Sequence, residues 1–259
     1  NDISSNFFFN RNNVDILHTT YYDNVNFNKN PVVITVYDLI HEIFSNDFNF
    51  NLLPKKKIFQ KIDHFICISE NTQKDLIKYY GIDKKKTSVV YLSSFNKKNY
   101  TSESFSNDKP YFLYVGSRKR YKNFVLLIEA LSNTVSISED FDIICFGGGK
   151  FLKEEYELFN KHGINFERVK QIDGNDDLLL SLYRGATAYI CTSRYEGFGL
   201  PIIEAMACGC PTLSSNHCSL PEIGGEAAHF FNPTDISEMA ESIRKVCEDS
   251  EFRHTLGKR

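Results

Sequence analysis

The chain has 259 residues, 42% of them hydrophobic and 24% charged, a globular composition of a size that two modest domains fill. No apolar run approaches the roughly 18–20 residues of a membrane-spanning helix, and 30 Lys and Arg against 33 Asp and Glu leave a net charge of −3. Disordered and membrane-spanning chains are set aside, and nucleic acid is not expected as a partner, because there is no excess of cations to neutralise a phosphate backbone.

In chain order, strand-length apolar runs are expected at residues 32–37, 64–69, 86–91, 111–115, 141–146, 188–192 and 211–215. Stretches of helical period lie at 71–80, behind a Ser69 or Asn71 cap, and at 123–131, 153–161, 177–184, 201–207 and 236–247. Strands alternating with helices over short connections predict an α/β fold with parallel sheets covered on both faces. Residues 93–110 are polar, rich in Ser, Asn and Lys, and close on Pro110, so they read as a linker. This divides the chain into residues 1–92, the latter part of a Rossmann-like domain with three strands, and 111–259, a fuller one with at least five. The sequence opens on Asn1 with no charged-then-apolar leader, so a fragment or a trimmed start is expected.

Seven cysteines without framework spacing fit reduced thiols in a cytoplasmic protein. Cys208, Cys210, His217 and Cys218 have the letters of a zinc set in a spacing that matches no usual metal pattern, and are read as buried small hydrophobes rather than a metal site.

Three turns carry chemistry. The run Ser193 to Pro211, SRYEGFGLPIIEAMACGCP, reads as strand, glycine turn and helix start, with Pro201 expected as the first helical residue. Backbone N–H groups of Phe198, Gly199 and Leu200 would face an anion beyond the strand end. Glu196 and Glu204, separated by seven residues, offer carboxylates that can accept from paired hydroxyls of a sugar or ribose; Glu204 also suits simple dipole complementarity. The run YFLYVGSRKRYKN ends a strand at Gly116 and crowds Arg118, Lys119, Arg120 and Lys122 before a helix near Asn123, suiting either a diphosphate clamp or a solvated basic loop. In FDIICFGGGK, Gly147 and Gly148 permit close approach of a ligand or a tight turn, and the spacing is not that of the dinucleotide fingerprint.

Together Lys122 and Asn123 after Gly116, the GGG turn, Asp176 and Asp177 before a helix, YEGFGLP with its paired glutamates, and EAMACGCP resemble the retaining glycosyltransferases of family four. The resemblance implies the GT-B architecture, two Rossmann-like domains facing across a cleft, the N-terminal one incomplete here. The motif wording is most similar to bacterial mannosyltransferases of surface-polysaccharide (lipopolysaccharide) synthesis. It implies Arg118 and Lys122 as donor diphosphate clamps, Glu204 as ribose ligand, and Glu196 with the Phe198–Leu200 backbone as holder of donor sugar and phosphate. In TVYDLIHE, Tyr37 stands where the family usually has histidine, so Asp38 or His41 is the expected acceptor-side group.

The activity implied is transfer of a hexose, mannose from GDP-mannose as first choice, to a lipid-linked or oligosaccharide acceptor. No metal and no tightly bound cofactor are implied beyond the nucleotide-sugar donor. The alternatives are a UDP-sugar donor, or a non-catalytic nucleotide-sugar-binding subunit. A metal-dependent rival would use Asp140 and Asp142, which precede their strand and so fall at the wrong sheet edge. The basic stretch PKKKIFQKI suits either a solvated helix face or peripheral contact with an anionic membrane at the cytoplasmic face.

Overall fold

The computed structural model describes residues 14–22, 30–48, 52–94, 105–118, 120–134 and 140–258. The asparagine-rich start, most of the expected linker and Lys119 lie outside the described residues. The chain divides into two compact units, residues 1–92 with Glu196–Phe198, and residues 93–195 with 199–259.

The first unit has a parallel sheet in the order β1 (Leu17–Thr19), β2 (Val32–Val36), β3 (His64–Cys67), β4 (Thr87–Val89). In β2 the period of two buries Val32, Ile34 and Val36, which pack with Leu39, Phe59 and Phe65. Short helices α1 (Ile40–Ile43), α2 (Ser45–Phe48) and α3 (Leu52–Phe59) precede β3. Helix α4 (Glu70–Tyr80) starts where the Ser69 hydroxyl accepts the Thr72 N–H at 3.0 Å, and it stops at Gly81 in the left-handed region.

The second unit contains β5 (Tyr111–Val115), α5 (Phe124–Ser132), β6 (Asp142–Phe146), α6 (Lys153–Lys161), β7 (Val169–Ile172), α7 (Asp176–Gly185), β8 (Ala188–Cys191), α8 (Leu200–Ala207), β9 (Thr212–Ser215), α9 (Leu220–Gly224), β10 (His229–Phe231), α10 (Ile236–Glu248) and α11 (Ser250–Lys258). Its six strands run parallel in the order β10-β9-β8-β5-β6-β7. Alternation along β5 sends Phe112 and Tyr114 into one core and Tyr111 and Leu113 into the other, so both faces are covered. That double burial is why these strands read as unbroken apolar runs.

The α/β class with two parallel sheets is as expected, and the N-terminal sheet is the smaller. The three strands not anticipated, β1, β7 and β10, are all edge strands. They are three or four residues long and partly exposed, and in β7 polar Lys170 and Gln171 interrupt the apolar pattern.

Candidate functional site

Strand order reverses between β5 and β8, and in an open parallel sheet the crevice beyond the carboxyl ends at such a point receives ligands. The turns following β5 and β8 are bonded there. Arg194 N–H donates to the Tyr121 carbonyl at 2.7 Å and Thr192 Oγ1 to the Lys122 carbonyl at 2.7 Å. Asn123 Nδ2 reaches the Thr192 carbonyl at 3.3 Å and the Pro233 carbonyl at 3.0 Å. The β5 turn is strained, with positive φ at Arg120 and Asn123 as well as Gly116. Non-glycine residues adopt that region at a cost of order 1–3 kcal/mol, met only where surrounding bonds enforce it. Lys122 is half-buried, its ammonium 5.7 Å from the centre of the Tyr121 ring.

The triglycine turn follows β6, the neighbour of β5, and Gly116 N–H donates to the Phe146 carbonyl at 2.9 Å. Gly147, Gly148 and Gly149 all have φ near +75°, which requires glycine here. A Cβ on Gly148 would stand 2.7 Å from the Gly116 carbonyl oxygen and 2.9 Å from Arg118 Nη1. Arg118 is buried, its side chain 2% exposed, and its Nε lies 2.6 Å from Glu155 Oε1. Nη1 donates to the Gly147 carbonyl at 3.1 Å and Nη2 to that of Gly149 at 2.8 Å. The structure therefore places Arg118 beneath the triglycine turn, with its charge matched by Glu155.

After β8 the chain turns through Gly199, at φ +102°, which caps α8 directly at Leu200 and leaves Pro201 as second helical residue. A Cβ on Gly199 would lie 2.8 Å from Leu220 Cδ2. The Gly199 and Leu200 amides belong to the first turn, whose N–H groups have no partners within the helix. Glu204, one turn further on and half-buried, accepts the Tyr183 hydroxyl at 3.1 Å through Oε2. Burial raises its pKa above the usual carboxylate range and the Asp176 charge adds to this, with the Tyr183 hydrogen bond opposing. Tyr183 on α7 is itself fully buried and its phenol is held well above its ordinary value by burial and by Glu204.

In the first unit the Gly197 carbonyl accepts from Ser69 Oγ at 2.7 Å and Thr72 Oγ1 at 3.0 Å. A Cβ on Gly197 would stand 2.0 Å from the Tyr37 carbonyl oxygen, so only glycine fits. Phe198 is buried with its ring 6.2 Å from that of Tyr91, and Glu196 is half-buried. Asp38 Oδ1 accepts the Ile40 N–H at 3.0 Å, and Tyr22 donates its hydroxyl to the Asp38 carbonyl at 3.1 Å. His41 is exposed on α1, edge-on to Phe48 at 4.7 Å.

Sequence reasoning did not single out Glu155, Tyr183 or Glu42. Glu42 is buried and accepts Lys55 Nζ at 2.7 Å and the Tyr80 hydroxyl at 2.6 Å. Only the spacing of Glu155 from Leu152, whose N–H it accepts at 2.8 Å, carried a local signal, that of a helix start. Asp142 sits at the amino end of β6, 2.7 Å from Lys170 Nζ and 3.0 Å from Asn107 Nδ2, away from the carboxyl-end turns. All seven cysteines are free thiols. Among the described residues no three His, Cys, Asp or Glu side chains gather as a metal site, and no helix is long and apolar enough to cross a membrane.

The two α/β units with parallel sheets have counterparts among solved GT-B structures. The structure of sucrose-phosphate synthase from Thermosynechococcus elongatus superposes with a TM-score of 0.78 at 22% identity, over 97% of this chain and 69% of that one. Anabaena HepE, solved with UDP and glucose, superposes at 0.72 and 22% identity over 88% of this chain and 65% of that one. Residues 95–259 match the family described as glycosyl transferases group 1 and residues 5–92 match glycosyltransferase family 4, and the chain belongs to this family. Among curated proteins it is 28% identical to the serotype-specific mannosyltransferase WbdA of Escherichia coli over 248 residues, 86% of this chain and 30% of that protein. It is 27% identical to the O-antigen chain mannosyltransferase RfbU of Salmonella typhimurium, over 82% of this chain and 60% of that protein. The chain thus spans about a third to three fifths of the length of these relatives.

Proposed function

We propose that this protein transfers a hexose, with retention of anomeric configuration, from a nucleotide sugar to a hydroxyl of a lipid-linked or oligosaccharide acceptor in surface-polysaccharide synthesis. GDP-mannose is the first choice of donor, because WbdA and RfbU bear the names of mannosyltransferases. The observation that carries the reading is the bonded pair of turns at the switch point, which puts the Lys122 turn beside the strand leading to the Gly199 turn and Glu204.

As the sugar leaves, the anomeric carbon gains oxocarbenium character and the diphosphate gains negative charge. Lys122 and the N–H groups at the start of α8 would meet that charge in fixed positions, at no cost of reorganisation. Glu204, as a carboxylate, would accept from the ribose hydroxyls and fix the nucleoside. Glu196, with Phe198, Gly199 and Leu200, would hold the donor sugar and phosphate, and Gly147 and Gly148 would border the nucleotide. Asp38 and His41 remain the acceptor-side groups of this reading. The leaving diphosphate itself would take the proton of the incoming hydroxyl, and no metal enters the scheme.

Purified protein given GDP-mannose and a polyprenyl-diphosphate oligosaccharide acceptor should release GDP and form an α-linked product, identified by proton NMR of the anomeric centre. Release of nucleoside diphosphate from UDP-sugars alone would move the donor assignment to UDP. No binding of any nucleoside diphosphate would overturn the reading.

A further inference from the structure

We propose that Arg118 is a positioning residue for the donor site, acting with Glu155 to hold the triglycine turn in its ligand-ready shape rather than touching the diphosphate itself. This rests on the nucleotide-sugar reading above. A guanidinium has five N–H donors in a fixed fork and is fitted to clamp phosphate only if that fork is open. Here Nε is taken by Glu155 Oε1 at 2.6 Å, Nη1 by the Gly147 carbonyl at 3.1 Å, and Nη2 by the Gly149 carbonyl at 2.8 Å. Nη2 also lies 3.3 Å from the Lys150 carbonyl and 3.4 Å from Glu155 Oε2. The ring of Phe151 covers the guanidinium, its centre 4.5 Å from Cζ.

Three carbonyls of one exposed turn therefore converge on a single buried cation, which is what three successive left-handed glycines need to remain in place. Without it, glycine is the residue with most freedom to leave. Glu155 is the second half of the device. It neutralises the guanidinium and, by accepting the Leu152 N–H at 2.8 Å, fixes the start of α6 immediately after the turn. The Gly148 and Gly149 N–H groups have no acceptor among the described residues. The turn thus presents unpaired amides beside the β5 turn, and their direction depends on the buried fork.

The test is equilibrium titration with GDP and UDP, together with amide hydrogen exchange in the ligand-free protein at Gly147, whose N–H donates to the Ile172 carbonyl at 2.9 Å, for Arg118→Ala, Arg118→Lys, Glu155→Ala and the Arg118→Ala/Glu155→Ala double variant. A misplaced turn should weaken nucleoside diphosphate binding at least about tenfold in every single variant. Lysine should not rescue, because a point charge cannot span the three carbonyls. The double variant should be no weaker than the worse single one, and exchange at the turn should quicken in all four. Wild-type affinity in Glu155→Ala beside a large loss in Arg118→Ala, or rescue by lysine, would make Arg118 a direct clamp and overturn the proposal. Should Arg118→Ala fail to fold, Arg118→Lys and Glu155→Gln carry the same comparison. If wild-type protein binds neither diphosphate, the nucleotide-sugar reading falls and the donor-site role with it; quickened exchange would then still uphold the hold of Arg118 and Glu155 on the turn, and unchanged exchange would overturn that too.

Discussion

Glu155 and Glu204 are two glutamates in the first two turns of their helices, one on the unit following β6 and one on that following β8, and they meet opposite fates. Glu155 lies 2.6 Å from a buried guanidinium, while Glu204 has a neutral phenol at 3.1 Å and, among the described residues, no cation. A carboxylate whose charge is already matched inside the protein serves the fold. One that is desolvated without a counter-charge, and is pushed toward its neutral form, has bonding capacity that a ligand's hydroxyls can take up. In the proposed function, that difference would separate a support from a contact at the same edge of one sheet.

The largest expected effect tests the contact. Glu204→Ala and Lys122→Ala should each lower hexosyl transfer by roughly 10²–10³-fold, the scale of losing one fixed electrostatic or hydrogen-bonding group, with circular dichroism and melting temperature little changed. Near-normal activity in Glu204→Ala would erase the contrast with Glu155. Next comes the support: the Arg118 and Glu155 variants should lose about tenfold in diphosphate affinity and should be non-additive, whereas a Glu155→Ala/Glu204→Ala pair should multiply.

A smaller effect is read in pH. Glu204 must be ionised to accept from a diol, and its folded pKa is raised, chiefly by burial. Donor affinity should therefore fall on acidification at a pH above the ordinary glutamate value of about 4.3. The Tyr183 hydrogen bond opposes the rise, so Tyr183→Phe should move the acid limb of a binding profile to still higher pH. An unmoved limb would show that another group sets it.

The smallest effect on binding is expected at Asp142. Burial alone would raise its pKa, but hydrogen bonds from Lys170 and Asn107 and the charges of Lys170 and Arg168 outweigh that and hold it below the usual value. Its contribution to stability is thus present above the unfolded pKa near 3.9 and lost as pH falls through the lower folded value. Asp142→Asn should lower stability at neutral pH by about 1–3 kcal/mol, flatten the acid limb of the stability curve in urea titrations, and leave diphosphate binding within twofold.

Much of this was legible in the sequence for a physical reason. Strands covered on both faces must be apolar throughout, so β5, β6 and β8 announced themselves, β2 did so through its buried alternation, and Gly116, Gly199 and the GGG run marked turns that need left-handed backbone. Edge strands β1, β7 and β10 are short and half-exposed, and left no such pattern. The anionic and cationic motifs were visible as letters, yet the letters assigned Arg118 and Lys122 alike, since a cation in a turn looks the same whether it faces solvent or lies beneath a neighbouring loop.

By itself, then, the sequence determined the α/β class, the alternation of elements and the turns at which chemistry could gather, because these depend on periodicity and on backbone freedom within a few residues. Only the tertiary structure decided which carboxylate meets a cation and which meets a phenol. Arg118 and Glu155 are 37 positions apart and Tyr183 and Glu204 are 21 apart, and whether such pairs meet is fixed by strand order and helix packing rather than by anything local to either residue.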